Sequence, residues 1–256
     1  MIRFSLPGTG DVRQVPVFGC ECKVCCQARV NVRRRRRPCC ALLETPQGDL
    51  LIDAGLTDLA ERFEQKGLNA ILLTHYHVDH VQGLFHLRWG MGEKIPVYGP
   101  SDVQGYADLL KHPGILKFMP AAEPFQRFEL SGIGVTPIPL QHSKPTYGYL
   151  LEYNNSLIAY LTDTVGLPEQ TQIFLKQLLK ERRIDLLVMD CSYPPQNTTP
   201  RNHNDLNMAL EIHHSLRPCR TVLTHISHEM DLWLSDHPDS LPDHVQVARD
   251  DDDFLF

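Results

Sequence analysis

Apolar residues along this chain fall into short runs, each closed by glycine, proline or a polar cluster. Residues 2–6 predict a first strand, ended by the turn-rich Gly8-Thr9-Gly10. Residues 41–45 and 49–53 predict a hairpin turning at Pro46-Gln47-Gly48, and a further strand over residues 70–74. Residues 95–98, 184–190 and 221–224 read as buried strands, and two hairpins cover roughly residues 123–140 and 147–161. Helical spacing predicts helices over residues 57–66, 80–87, 101–111 (capped by Ser101), 168–180 and 204–216, with a short one after Ser227. Residues 11–40 show no period and read as an irregular segment holding most of the cysteines. Strands and helices are interspersed, so the class is mixed α/β (α+β). No internal repeat or linker divides residues 1–256, which read as one domain.

Composition narrows this only a little. With 256 residues, 42% hydrophobic and 22% charged, the chain reads as an ordinary soluble globular protein with a sizeable core. A net charge of -6 argues against a global field for nucleic acid. No apolar run approaches the roughly 20 residues of a membrane span, and residues 1–7 lack the apolar core of a secretion signal. The expectation is a cytoplasmic protein. In a reducing compartment its eight cysteines point to metal binding or burial rather than disulfides. Asp250-Asp251-Asp252-Asp253 reads as a solvated acidic tail.

The chemistry concentrates at Thr74-His75-Tyr76-His77-Val78-Asp79-His80, at the end of a buried strand. In extended backbone His75 and His77 face the same way, and the turn that follows brings in Asp79 and His80. Imidazoles and a carboxylate suit zinc, manganese or iron better than calcium. A second signal is C-x-C-x2-C at Cys20, Cys22 and Cys25, a thiolate set short of one zinc ligand. His228, three residues after His225, is the candidate fourth ligand, and Cys26 competes for that place. Cys26, Cys39, Cys40, Cys191 and Cys219 otherwise read as buried small apolar residues.

On the HxHxDH motif the chain resembles the metallo-β-lactamase superfamily, whose remaining ligands come from later strand ends; His142, Asp163 and His225 each follow an apolar run here, in that family's order. The resemblance implies a four-layer αββα sandwich, two facing sheets with helices on both outer sides. It implies two catalytic divalent metals: His75, His77 and His142 on one, Asp79, His80 and His225 on the other, and Asp163 bridging. A hydroxide between the ions is then the nucleophile, and Asp79 can orient it. The cysteine loop and Thr224-His225-Ile226-Ser227-His228 narrow the likeness, with support from Val81-Gln82-Gly83-Leu84-Phe85 and Met189-Asp190-Cys191-Ser192. Together they resemble the cyclic phosphodiesterases of the bacterial carbon–phosphorus lyase pathway of phosphonate degradation. That family implies hydrolysis of 5-phosphoribosyl 1,2-cyclic phosphate to ribose 1,5-bisphosphate. It also implies a manganese pair, with zinc as the alternative, a structural zinc in the loop around residues 19–40, and a homodimer. His203 matches the general acid of that branch.

The expected partner is a small anionic phosphate ester, with no membrane. Lys144 and the arginines at residues 33–37 are candidates for a second phosphate, though the arginine run reads better as a solvated basic loop. A transfer RNA 3′-end endonuclease would use nearly the same ligands but needs a basic exosite. A thioester or lactam hydrolase fits the C-terminal motif less well. A cysteine-loop metal or redox sensor is the reading from a different class; iron in it would colour the protein.

Overall fold

The computed structural model describes residues 1–256. Strands β1 (Arg3–Gly8), β2 (Cys40–Glu44), β3 (Leu50–Ile52), β4 (Ala70–Leu72), β5 (Ile95–Tyr98) and β6 (Leu116–Phe118) pair in sequence order. A second sheet holds β7 (Phe128–Leu130), β8 (Ile133–Leu140), β9 (Thr146–Tyr153), β10 (Ser156–Leu161), β11 (Leu186–Asp190), β12 (Arg220–Thr224) and β13 (Val245–Val247). The last strand, β14 (Asp252–Leu255), returns to the first sheet and pairs antiparallel with β1.

Alternation of side chains explains the layering. Leu50, Ile52, Ala70 and Leu72 face the second sheet, where Ile158, Tyr160, Leu186, Val188 and Val222 meet them. Leu51, Ile71 and Leu73 point the other way, under α2 (Leu59–Phe63), α3 (Val78–Val81), α4 (Leu84–Leu87) and α5 (Ala107–Lys111). Leu157, Ala159, Leu161, Leu187, Met189 and Leu223 lie under α6 (Glu169–Leu178), α7 (Leu206–Leu216) and α8 (His228–Asp236). The parallel strands β3, β4 and β11 are therefore buried on both faces, which is why they read as unbroken apolar runs. The result is the expected αββα sandwich. No helix is long and apolar enough to cross a membrane.

Several expectations need correction. Residues 11–40 are not wholly irregular: α1 (Lys23–Val30) and a 3-10 turn (Val32–Arg34) lie there, and α1 packs on α8. The Cys22 sulfur caps α1 by accepting from the Cys25 N–H, so the cysteine loop supplies its own helix start. The helix expected over residues 101–111 begins only at Ala107, because the Asp102 carboxylate accepts from the Gln104 and Gly105 N–H groups and holds a turn. Residues 80–87 split into α3 and α4 rather than forming one helix.

The acidic tail and the arginine run are solvated only in part, Asp251 and Asp253 being exposed. Arg36 is fully buried against Asp231, with Nε–Oδ2 of 2.5 Å. Arg37 pairs with Asp250 and Asp251, and Asp250 also accepts from Thr9. Asp252 and Asp253 lie within β14. Arg33, Arg34 and Arg35 do stay exposed. Of the cysteines read as buried, Cys39, Cys40 and Cys191 are; Cys26 is exposed and Cys219 only partly covered.

Candidate metal centre

The site forms at the ends of β4, β8, β10 and β12. His75 Nε2 lies 2.8 Å from His77 Nδ1, and His142 Nε2 lies 3.0 Å from the same atom. Beside this trio stands a second group. Asp79 Oδ2 is 3.4 Å from His80 Nε2 and 3.5 Å from His225 Nε2. Asp163 reaches across both: its Oδ2 lies 3.5 Å from His80 Nε2, and its Oδ1 lies 3.4 Å from His225 Nε2 and 3.9 Å from His142 Nε2. All seven sequence-predicted residues thus converge, in sets close enough to share an ion.

Backbone strain places three of the groups. Asp53, Asp163 and His225 follow strand ends at φ of 62°, 67° and 55°, the left-handed region that costs a non-glycine residue about 1–2 kcal/mol. The chain after β3 presses onto the motif at Gly55, where a Cβ would stand 1.7 Å from the Asp79 carbonyl oxygen. Only glycine fits there.

The far nitrogens of the imidazoles are also held. His80 Nδ1 donates to Asp53 Oδ2 at 2.8 Å, and His142 Nδ1 donates to the Asn202 carbonyl at 2.8 Å. Thr74 Oγ1 lies 3.0 Å from His75 Nδ1, and Ser192 Oγ 3.0 Å from His225 Nδ1. Such bonds fix the tautomer that leaves the inner nitrogen free for a metal. Sequence reasoning missed Asp53, Thr74 and Ser192 in this role.

The electrostatics fit a cation. Buried Nε2 atoms of His80 and His225, and Oδ2 of Asp163, have no hydrogen-bond partner. Leaving such a group unmet costs about 1–3 kcal/mol, and a divalent ion between them satisfies all three. Burial opposes charge on His80, but Asp163, Asp53 and Asp79 outweigh it and raise its pKa well above the usual range. His225, likewise disfavoured by burial, is pushed up to about 9 by Asp163 and Asp79. Burial lowers His75, His77 and His142 below the ordinary histidine value. Burial pushes Asp163 up, but His225 and His80 prevail and bring its carboxyl well below the usual range.

His203 approaches from the loop before α7. Its Nδ1 lies 3.5 Å from both Asp163 Oδ1 and Asp190 Oδ2, and its ring stacks on His225 at 4.6 Å. It also comes within ligand reach of His142 and Asp163, a grouping that the sequence reading did not foresee. Asp190 is held in turn by the Asn204 and Thr164 N–H groups.

A separate thiolate site forms where predicted. Cys20, Cys22 and Cys25 sulfurs lie 3.4, 3.6 and 3.7 Å from His228 Nδ1. Tetrahedral zinc, at about 2.3 Å from sulfur and about 2.0–2.1 Å from nitrogen, would hold those atoms about 3.6 Å apart. His228 Nε2 is tied to Glu229 at 2.9 Å, and Glu229 to Arg13. Cys26 takes no part: its sulfur turns to the Glu21 carbonyl. Of the remaining histidines, His213 bonds Thr221 and His237 stacks on Trp233, away from both clusters.

The fold and its ligand clusters define a protein with clustered side chains suited to divalent metal ions. Residues 49–226 match the family model of the β-lactamase superfamily domain, and the chain belongs to that superfamily. An octanoyltransferase of Porphyromonas gingivalis is 28% identical, over 97% of this chain and 50% of its own length. A ribonuclease Z of Metallosphaera sedula is 26% identical, over 73% of this chain and 65% of its own. The chain thus spans about half to two thirds of these curated relatives. Among solved structures, a diphosphatase from the PhnP family superposes with a TM-score of 0.81 at 24% identity, over 99% of this chain and 96% of the other.

Proposed function

We propose that this chain is a dinuclear metal-dependent phosphodiesterase that opens 5-phosphoribosyl 1,2-cyclic phosphate to ribose 1,5-bisphosphate in phosphonate catabolism. The observation that carries the reading is Asp163, whose carboxylate reaches imidazoles of both groups, Oδ1 lying near His142 and His225 and Oδ2 near His80. His75, His77 and His142 would hold one ion, and Asp79, His80 and His225 the other. Divalent ions held there, manganese in the first instance, would supply a water of lowered pKa and neutralise the phosphate oxygens.

The remaining work falls to side chains. Asp79 accepts a hydrogen bond from the attacking water and orients it. Water adds to phosphorus, and the bond to the sugar 2-oxygen breaks. His203, standing 3.5 Å from Asp163 on the loop side, would give that oxygen its proton. The diphosphatase neighbour supports phosphorus as the reacting centre.

The ribonuclease Z relatives favour a second reading, cleavage of transfer RNA precursors. Against it, Arg36 and Arg37 are spent on Asp231, Asp250 and Asp251, which leaves less basic surface for RNA. Phosphorus NMR of the cyclic phosphate with manganese-loaded protein tests both. Loss of the strained cyclic signal with a new monoester signal is expected. An unchanged spectrum, with transfer RNA precursors cleaved, would replace the first reading by the second.

A further inference from the structure

Asp190 is the last residue of β11, beside the metal centre but in none of its ligand clusters. Its side chain is wholly buried. A buried carboxylate is costly unless it is both hydrogen-bonded and paired with a cation. The hydrogen bonds are present. Oδ2 accepts from the Asn204 N–H at 2.9 Å, and Oδ1 accepts from the Thr164 N–H and the Asn204 side-chain amide, each at 3.3 Å. The pairing is left to one group. His203 Nδ1 lies 3.5 Å from Oδ2, and no lysine or arginine comes within ion-pair distance.

His203 needs such a partner. Its Nδ1 is buried and closes no hydrogen bond, standing 3.5 Å from Asp163 Oδ1 as well as from Asp190 Oδ2. Asp163 is the poorer claimant, because the same Oδ1 also faces His142 and His225. Asp190 has no other imidazole in reach. Contacts of this kind are often long before substrate binds and tighten in the complex. The ring is otherwise well held. It stacks on His225 at 4.6 Å with planes 22° apart. On one side of it in the chain, the Asn202 carbonyl accepts from His142 Nδ1; on the other, Asn204 bonds Asp190, Gly166 and Ser192. With Nδ1 turned to the carboxylates, Nε2 is the nitrogen left to meet substrate.

We infer that Asp190 is a positioning residue for His203: its carboxylate accepts the Nδ1–H, fixes the ring tautomer, and so leaves Nε2 to carry the proton bound for the leaving sugar oxygen. The bond from phosphorus to that oxygen breaks with its electron pair on oxygen, which takes the Nε2 proton. The imidazole is left neutral, with Nδ1–H still on Asp190. A carboxylate at Nδ1 also steadies the imidazolium that gives the proton, as buried aspartates do for catalytic histidines in acyl transfer. This deepens the phosphodiesterase reading above and rests on it for the leaving group.

Nitrogen NMR of histidine-labelled, zinc-loaded protein tests the pairing apart from turnover, with His203 assigned from its absence in His203→Ala. Nδ1 should carry a proton in the wild type, and Asp190→Asn should lose that preference. A bare Nδ1 in the wild type overturns the inference whether or not the variant folds; so does an unchanged ring in a folded variant. Turnover is then compared for the cyclic sugar phosphate, whose alkoxide must be protonated, and for bis(p-nitrophenyl) phosphate, whose phenolate leaves unaided. Asp190→Asn should lower kcat for the cyclic phosphate about tenfold or more, with KM little changed, the step from a charge-assisted to a neutral hydrogen bond. The ratio of the two rates should fall, as in His203→Ala, and in the double variant the second change should cost nothing further. Additive losses, or equal losses on both esters, would mean that Asp190 serves the fold alone. Protein that opens neither diester but shows the Asp190-dependent ring would remove the phosphodiesterase reading and leave the pairing standing.

Discussion

His80 Nδ1 donates to Asp53 Oδ2 at 2.8 Å, and both side chains are wholly shielded from solvent. The same carboxylate accepts from the Thr74 N–H and hydroxyl, and that hydroxyl meets His75. One buried group beyond the ligands thus orients an imidazole in each cluster. Asp53→Asn would keep the shape but lose the charge that makes His80 a strong ligand. Metal affinity at the His80 side is expected to fall about 10–100-fold, as for other such outer partners. Metal titration of the variant checks this, and an unaltered dissociation constant would show that Asp53 serves the fold alone.

Loading of the two ions should depend differently on pH. A metal ligand must be unprotonated. His225, raised to about 9, and His80, also raised well above the usual range, carry protons in the metal-free protein at neutral pH. An ion at Asp79, His80 and His225 must displace them. Its apparent affinity therefore rises with pH, about tenfold per unit for each proton displaced, until the pH passes about 9. The His75, His77 and His142 trio sits below the ordinary histidine value and is already neutral. Calorimetry in buffers of differing ionisation enthalpy should find one ion taken up with proton release and one without. Two ions loading with equal proton release would contradict this assignment.

The His203→Ala variant separates proton delivery from metal binding. As a general acid, His203 accounts for about 10²–10⁴ in turnover, and its loss leaves the metals in place. As a ligand beside His142 and Asp163, it would take an ion with it. Metal content measured on the same sample as the rate decides. A large loss of rate with two ions retained is the expected result.

How much of this was open to sequence follows from what each residue needs in order to be recognised. His75 is legible in the HxHxDH motif itself, and the resemblance that motif carries picks His142, Asp163 and His225 out of the polar residues that stand just past apolar runs. Asp53 sits at the same kind of position, in Asp53-Ala54-Gly55, but its role shows only when β3 is seen to pair with β4. Ser192 depends similarly on the pairing of β11 with β12. Helix α1 escaped because its cysteines break the apolar pattern and its cap is a sulfur. The charged runs misled because local composition cannot reveal a partner nearly 200 residues away, as Asp231 is for Arg36.

The thiolate loop should be separable from the catalytic centre. Cys22 provides one of its ligands and also caps α1; in Cys22→Ser the hydroxyl can still cap the helix, so the loss falls on the zinc site. The remaining cysteines still need a fourth ligand, and Cys26 faces away from them. One zinc should be lost, with lower stability, while the ions at His75 to His225 stay. Zinc analysis together with thermal melting checks this, and full zinc retention would remove the site.

The Arg36–Asp231 pair makes the last prediction. Arg36 also donates to Thr9 Oγ1 and the Ala248 carbonyl, so one guanidinium joins the N-terminal loop, α8 and the chain leading into β14. Its side chain is 0% exposed and that of Asp231 4%. Removing Arg36 leaves the buried Asp231 carboxylate only the longer contact to Arg249 at 3.6 Å, at a cost near the lower end of the about 3–5 kcal/mol for breaking a buried pair. Arg36→Ala should lower Tm by roughly 10 °C in a chain of this size. Replacing both partners with apolar residues of similar volume, Arg36→Met with Asp231→Leu, avoids the stranded charge and should cost less than either single change. Since α8 begins at His228, zinc affinity should fall in Arg36→Ala and recover in the double variant. Melting curves and zinc titration of the three proteins test this. A double variant no more stable than Arg36→Ala would mean that the bonds to Thr9 and Ala248, rather than the ion pair, hold the three segments together.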